Sequence, residues 1–179
     1  MDRQASLFVV IVGGYPPGAH TEVHDTRFFI GRQLEDGFAA LKEKWWGGED
    51  RFHLDAWGAL HHADGHDILI GGDPPQGAAS DRHLFYVQLG GYREGVFGEL
   101  HSDVFVVAAD KAEAKRRALK LAPKGWASAH RDTMFAIESI VDVAARLDLA
   151  LPEEQIHLVP ANEAKPFRFE ARYLPLPGG

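Results

Sequence analysis

The chain contains no cysteine. Disulfide bonds, thiolate nucleophiles and cysteine-ligated zinc or iron–sulfur sites are therefore excluded. The chain also lacks any run near the roughly 20 apolar residues of a membrane span. Its N-terminal apolar run, residues 7–12, is short for a signal-peptide core, and no small-residue cleavage site follows it. We expect a soluble, cytoplasmic protein with no membrane partner.

The chain also has fewer basic residues than acidic ones. Nineteen Lys and Arg residues face 26 Asp and Glu residues, which gives a formal net charge of −7 at pH 7. Such a chain repels the phosphate backbone, so nucleic acid is not an expected partner. The densest basic stretch, residues 111–124, is typical of the solvated face of a helix. The hydrophobic fraction of 45% is nevertheless that of a folded protein.

Well-known catalytic motifs are also missing. No Gly-x-Ser-x-Gly elbow is present, and no pair of histidines stands one helical turn apart with a glutamate beside the first. The segment Gly13-Gly14-Tyr15-x-x-Gly18 has neither the glycine order nor the following helix of a phosphate-binding loop. Close packing at a strand exit explains these glycines better.

What the chain does contain is one segment twice. Residues 7–15, LFVVIVGGY, recur as residues 84–92, LFYVQLGGY, with a shift of 90 − 13 = 77. The same shift, without a gap, relates the polar pairs Glu22 and Glu99, His24 and His101, His53 and His130, and Asp55 and Asp132. The repetition predicts a duplicated half-domain.

Each half has the same order of predicted elements. Apolar runs predict strands at 7–12 and 23–31, and apolar residues at helical spacing predict a helix over 33–46. Asp64-Gly65 between two strand-like runs indicates a hairpin. We predict an α+β fold of two strand–strand–helix–strand–strand repeats, related by a pseudo-two-fold axis and packed as one unit. The predicted boundaries are 1–72, a linker at 73–82, 83–160, and a tail at 161–179 able to add an edge strand.

The duplicated polar residues are the candidate site. In extended backbone, residues i and i+2 point to one face, so each Glu-x-His and His-x-Asp pair aims a carboxylate and an imidazole the same way. These groups suit a divalent transition metal or an acid/base pair. The same groups could equally have a structural role, in which they hold the neighbouring loops in place by hydrogen bonds. The candidate ligands are Glu22, His24, His53, Asp55, Glu99, His101, His130 and Asp132.

The repeated pattern resembles a known bacterial family. The pattern is Leu-Phe-x-Val-x-(Val/Leu)-Gly-Gly-Tyr-x-x-Gly-x-x-x-Glu-x-His with a later His-x-Asp, and it is similar to the domain of unknown function 1543. The resemblance covers residues 6–70 and 83–160 and implies two tandem copies of the module. It implies no catalytic residues.

Two functions follow from these observations. The first is a binding or interaction module for a small molecule or a protein, with a homodimer left open. The second is a metal-assisted hydrolase or related metalloenzyme that uses the duplicated pairs. The sequence does not decide whether the chain is an enzyme.

Overall fold

The computed structural model describes residues 4–48, 51–123 and 136–176. The protein is a mixed α/β chain, rich in strands, with few helices and several sheets. It divides into two compact units. The first contains Met1–Ala78 together with Leu147–Gly179, and the second is Ala79–Arg146. In the described ranges, no helix has both the length and the apolar character needed to cross a membrane.

The first unit is built on a five-stranded sheet. Its central strand is β1 (Ser6–Gly14), an apolar run that alternates little because both of its faces are covered. Strands β2 (Val23–Gly31) and β3 (His53–Ala59) pair antiparallel on its two sides. The strand order is completed at the edges by β9 (Leu147–Leu149) beside β2 and β11 (Glu170–Pro175) beside β3.

One short helix contributes to the core of this unit. A 3₁₀ turn, Leu34–Gly37, leads into α1 (Phe38–Glu43). The apolar face predicted for this helix is buried: Leu41 and Trp45 pack with Val10, Phe29 and Leu54 in the core cluster. The helix is shorter than predicted, and Gly37 explains its irregular start. A Cβ at Gly37 would lie 2.6 Å from the Phe29 ring, so the chain passes too close to that ring for a side chain.

A second, three-stranded sheet also belongs to the first unit. Strand β4 (His62–Ala63) and β5 (His66–Gly71) form the predicted hairpin. Asp64 and Gly65 have φ values of 48° and 77°, which is the left-handed backbone of a tight hairpin turn. Strand β10 (Gln155–Pro160) pairs antiparallel with the other edge of β5.

The second unit has its own three-stranded sheet. Strand β6 (His83–Gly91) lies between β7 (Leu100–Ala108) and β8 (Ala136–Asp142). Helix α2 (Lys111–Ala118) packs on this sheet through Ala114 and Ala118, and a 3₁₀ turn, Leu119–Leu121, follows it. Asp110 caps the helix, since its Oδ1 accepts a hydrogen bond of 2.7 Å from the Glu113 amide.

The last strands of the chain differ from the expected repeat. The predicted second repeat extends to residue 160 and so includes β10, but β10 pairs with β5 of the first unit. The buried Ile68 and Ile70 of β5 explain this partner, because β10 extends the sheet and covers its edge with Leu158. The pseudo-two-fold relation of two five-element repeats stays a prediction.

Candidate functional site

The polar residues of the first half meet around one glycine. Gly13, near the end of β1, lies opposite His24 on β2 and opposite His53 on β3. Directly opposed residues of antiparallel strands point to the same face of the sheet. Gly13 has no side chain, so the two imidazoles flank an open position. Glu22 immediately precedes β2, and Asp55 follows His53 by two residues.

A β-bulge directs Asp55 toward that open position. Val12 pairs with Leu54 and Ile11 pairs with Ala56, which leaves Asp55 as the extra residue of β3. A Cβ at Gly13 would lie 2.7 Å from both Asp55 Oδ2 and His53 Nε2. Only glycine therefore allows the two side chains to approach the strand so closely.

Four close approaches join the side chains of this cluster. His53 Nε2 lies 2.7 Å from Glu22 Oε1 and 3.3 Å from Asp55 Oδ2. His24 Nε2 lies 3.1 Å from Asp55 Oδ2 and 3.8 Å from Glu22 Oε2. One ligand atom from each of Glu22, His53 and Asp55 falls within 4.8 Å of the other two. These three residues therefore have the composition and spacing of a metal-ligand set.

The central atoms of the cluster are buried and lack hydrogen bonds. Glu22 Oε1, His53 Nε2 and Asp55 Oδ2 are inaccessible to solvent, yet none has a hydrogen-bond partner. The His53 side chain is 1% exposed, whereas that of His24 is 49% exposed. Although Glu22 Oε1 and His53 Nε2 are 2.7 Å apart, they lack the directional geometry of a hydrogen bond. Buried polar atoms are normally satisfied, so this convergence requires an explanation.

The orientation of His53 is fixed from its other side. Its Nδ1 lies 2.5 Å from the Arg51 carbonyl oxygen, an acceptor, so Nδ1 carries the proton and donates. In a neutral ring this leaves Nε2 unprotonated, with carboxylate oxygens of Glu22 and Asp55 at 2.7 and 3.3 Å. Arg51 has φ of 55°, a left-handed backbone that non-glycine residues rarely adopt. The Tyr173 ring of β11 covers His53, with ring centroids 4.3 Å apart.

The second unit repeats part of this arrangement. Gly90 lies opposite His101 on β7, as Gly13 lies opposite His24. The bulge of β8 faces Gln88 and Leu89, which correspond at a shift of 77 to Ile11 and Val12, the residues that face the bulge of β3. A Cβ at Gly90 would lie 2.8 Å from Glu99 Oε1 and 2.7 Å from Glu138 Oε1. His101 Nε2 is 3.8 Å from Glu99 Oε2.

The buried histidine has a different counterpart from the one expected. The residue opposite Gly90 on β8 is Ala136, whereas the ungapped correspondence assigns His130 to this position. The shift between the third strands is 136 − 53 = 83, six residues more than 77. Glu138 consequently takes the bulge position of Asp55. His130 and Asp132 lie outside the described residues.

A separate histidine lies at the β4–β5 hairpin. His62 Nδ1 is 3.1 Å from Asp67 Oδ1, and Lys165 Nζ donates to both Asp67 oxygens at 2.7 and 3.0 Å. The hydrogen bonds from Lys165 and then His62 hold the pKa of Asp67 below its usual value. His66 Nδ1 lies 2.9 Å from the carbonyl of Asp64. These contacts stabilise the hairpin and account for the positions of both histidines without a ligand.

Comparison with known proteins supports the predicted family resemblance. The family model described as Domain of Unknown Function (DUF1543) matches residues 19–70, a segment that contains all four residues of the first cluster. The fold is similar to that of protein Il1583 from Idiomarina loihiensis, with 27% identity and a TM-score of 0.63. That similarity covers 98% of this chain and 99% of the other. No curated protein matches the chain.

Sequence reasoning missed three contributors to these clusters. The Arg51 carbonyl carries no side-chain signature, and Tyr173 is 120 residues from the histidine it covers. Glu138 was hidden by the assumption of an ungapped repeat. The bulge that identifies Glu138 is a feature of the strand pairing, and the sequence carries no signal for it.

Proposed function

We propose that the first unit binds one divalent transition metal ion through Glu22, His53 and Asp55. The observation that supports this most directly is the convergence of three buried, non-hydrogen-bonded donor atoms. Two donors that each lie about 2.1 Å from one ion are about 3.0–3.4 Å apart in octahedral or tetrahedral geometry. The separations of 2.7 and 3.3 Å around His53 Nε2 are close to this range.

The surroundings of the donors also suit a metal centre. Metal-ligating histidines usually donate their second ring N–H to a carbonyl or carboxylate, and His53 donates to the Arg51 carbonyl. Two carboxylates neutralise a divalent ion, so binding leaves no uncompensated charge in the buried pocket. The imidazole and carboxylate set favours zinc, manganese or iron over magnesium or calcium.

The competing explanation is a structural clamp around a protonated His53. An imidazolium would donate from Nδ1 to Arg51 and from Nε2 to Glu22. That arrangement requires a directional Nε2–H···O bond, and the short Glu22 contact lacks this direction. The geometry therefore favours a cation between the donors over a proton on the ring.

The site supports metal-assisted hydrolysis as its chemistry. Three protein ligands leave a fourth position for water, whose pKa a zinc ion brings to about 7. The half-exposed His24, 3.1 Å from Asp55 Oδ2, lies on the solvent side of the cluster and is placed to exchange protons with a bound water. We assign His24 as the acid/base residue and the other three residues as ligands.

Elemental analysis of the purified, untagged protein tests this assignment. We expect about one equivalent of a transition metal in the parent and its loss in His53→Ala. His24→Ala should retain the metal, because that ring is not one of the three buried ligands. His101→Ala is the matched control in the second unit and should also retain it. Less than one-tenth of an equivalent in the parent, unchanged after adding zinc or manganese, would refute the proposal.

We further propose that the chain belongs to the DUF1543 family and carries two tandem copies of its module. The family match over residues 19–70 supports the first copy. Two observations support the second copy. The pairing of β6 with β7 has the same register as the pairing of β1 with β2, at a shift of 77 residues, and the third strand of each sheet has a bulge at the corresponding place. Ala136 at the position of His53 argues that only the first copy binds a transition metal. The zinc stoichiometry tests whether only the first copy binds metal. One equivalent per chain is expected, and two equivalents would contradict the claim.

A further inference from the structure

Arg51 presents a guanidinium beside the His53 cluster. The Arg51 carbonyl accepts a hydrogen bond from His53 Nδ1, and the Arg51 guanidinium lies over the Tyr15 ring, 5.2 Å from the ring centroid. Tyr15 stands two residues after Gly13 on the chain that leaves β1, at the end where the cluster lies. The guanidinium is held over the Tyr15 ring by a cation–π contact.

Arg51 is not an ion-pair partner of Glu22 or Asp55, the two acids of the cluster. Among the described residues, the ion-pair partners of Glu22 and Asp55 are histidines, and Arg51 forms no ion pair. Arg27 provides a contrast, because it pairs with Asp25 and Asp148. A planar guanidinium stacked on a ring keeps its N–H edge free for bidentate binding of an oxyanion.

We infer that the site binds a small molecule with a carboxylate or phosphate group, which Arg51 holds while the rest of the molecule reaches the metal position. This inference rests on the proposed metal site and names the class of its ligand. Tyr15 and Tyr173 are 37% and 58% exposed, so the approach to the cluster also offers two aromatic faces. The bound ion and the two carboxylates together carry no net charge, so Arg51 supplies the positive charge that attracts an anion.

Calorimetric titration of the zinc-loaded protein with inorganic phosphate and with benzoate tests the inference, and benzamide serves as the uncharged probe. We expect at least one of the two anions to bind and benzamide not to bind. Arg51→Gln, which retains the backbone carbonyl, should weaken anion binding at least tenfold with an unchanged zinc content. Arg51→Lys should weaken it less, because it keeps the charge but loses the planar fork.

Arg172→Gln is the matched control. Arg172 also stacks on a ring, 5.1 Å from the Trp57 centroid, but it pairs with Glu170. Trp57 lies four residues from His53 along β3, about 13 Å at about 3.3 Å per residue. This variant should bind the anions within twofold of the parent.

The outcomes separate the two claims. At full zinc occupancy, a parent that binds neither anion, or an Arg51→Gln variant that binds within twofold of the parent, overturns the ligand assignment and leaves the metal site intact. A parent that takes up neither zinc nor manganese overturns the proposed function itself. Whether phosphate or benzoate binds more tightly identifies the oxyanion.

Discussion

Replacement of Gly13 by alanine tests the geometry of the site without removing a ligand. The new Cβ would lie 2.7 Å from His53 Nε2 and from Asp55 Oδ2. Ordinary contacts of a Cβ begin near 3.4 Å, so both ligand atoms must move by about 0.7 Å. The backbone itself does not oppose alanine, because Gly13 is not among the described glycines with positive φ.

Gly13→Ala is expected to weaken both the fold and metal binding. Gly→Ala at a compatible backbone position stabilises by about 0.4–1 kcal/mol through the unfolded chain. Overpacking costs about 1–3 kcal/mol, so we expect a net destabilisation of about 1–2 kcal/mol. Disturbing the groups that position metal ligands weakens affinity about 10–100-fold, or about 1.4–2.7 kcal/mol. We expect zinc affinity to fall within this range.

Gly90→Ala is the matched control for this experiment. Its Cβ would crowd Glu99 Oε1 and Glu138 Oε1 at 2.8 and 2.7 Å, a similar overlap at a position without the buried histidine. Zinc affinity is measured by competition with a chromophoric chelator, and stability by urea unfolding of the metal-free proteins. The reasoning fails if Gly13→Ala binds zinc within twofold of the parent, or if Gly90→Ala weakens zinc binding as much.

Three further predictions concern the scaffold, and urea unfolding measures each. Arg27→Met should destabilise by about 3 kcal/mol, since it leaves the buried carboxylate of Asp148 without its ion pair; a loss below about 1 kcal/mol would contradict this. Asp110→Ala should cost about 1 kcal/mol by removing the cap of α2, and no change would argue against that role. The lowered pKa of Asp67 beside Lys165 contributes stability that is present above the ordinary value of 3.8 and lost as pH falls through the folded pKa. Asp67→Asn should therefore show a shallower loss of stability below about pH 4, and a slope equal to that of the parent would refute the contribution.

The local elements were predictable because local patterns determine them. The apolar run of β1 and the Asp64-Gly65 turn are encoded in adjacent residues, so their positions followed from side-chain type alone. The shared orientation of the Glu-x-His pair was also predictable. Extended backbone places i and i+2 on one face whatever the rest of the fold does, and His24 faces the cluster accordingly.

Long-range pairing was not predictable in the same way. The partners of β9, β10 and β11 depend on which sheet edges of the first unit are open, and no local pattern records this. The bulge at Asp55 shifts the register by one residue, and the six-residue difference between His53 and Ala136 breaks an ungapped comparison. Half of the expected second site, Glu99 and His101, is in place beside Gly90, while the other half depends on that register.

The central claim is that Glu22, His53 and Asp55 bind one metal ion. Anomalous diffraction at the zinc edge, from crystals grown with zinc, tests it most directly because it locates the ion. The account predicts one strong peak per chain about 2.0–2.2 Å from His53 Nε2 and from a carboxylate oxygen of Glu22 and Asp55. A peak only at the hairpin histidines His62 and His66, or no peak at the Gly13 cluster with zinc at saturating concentration, would contradict the claim.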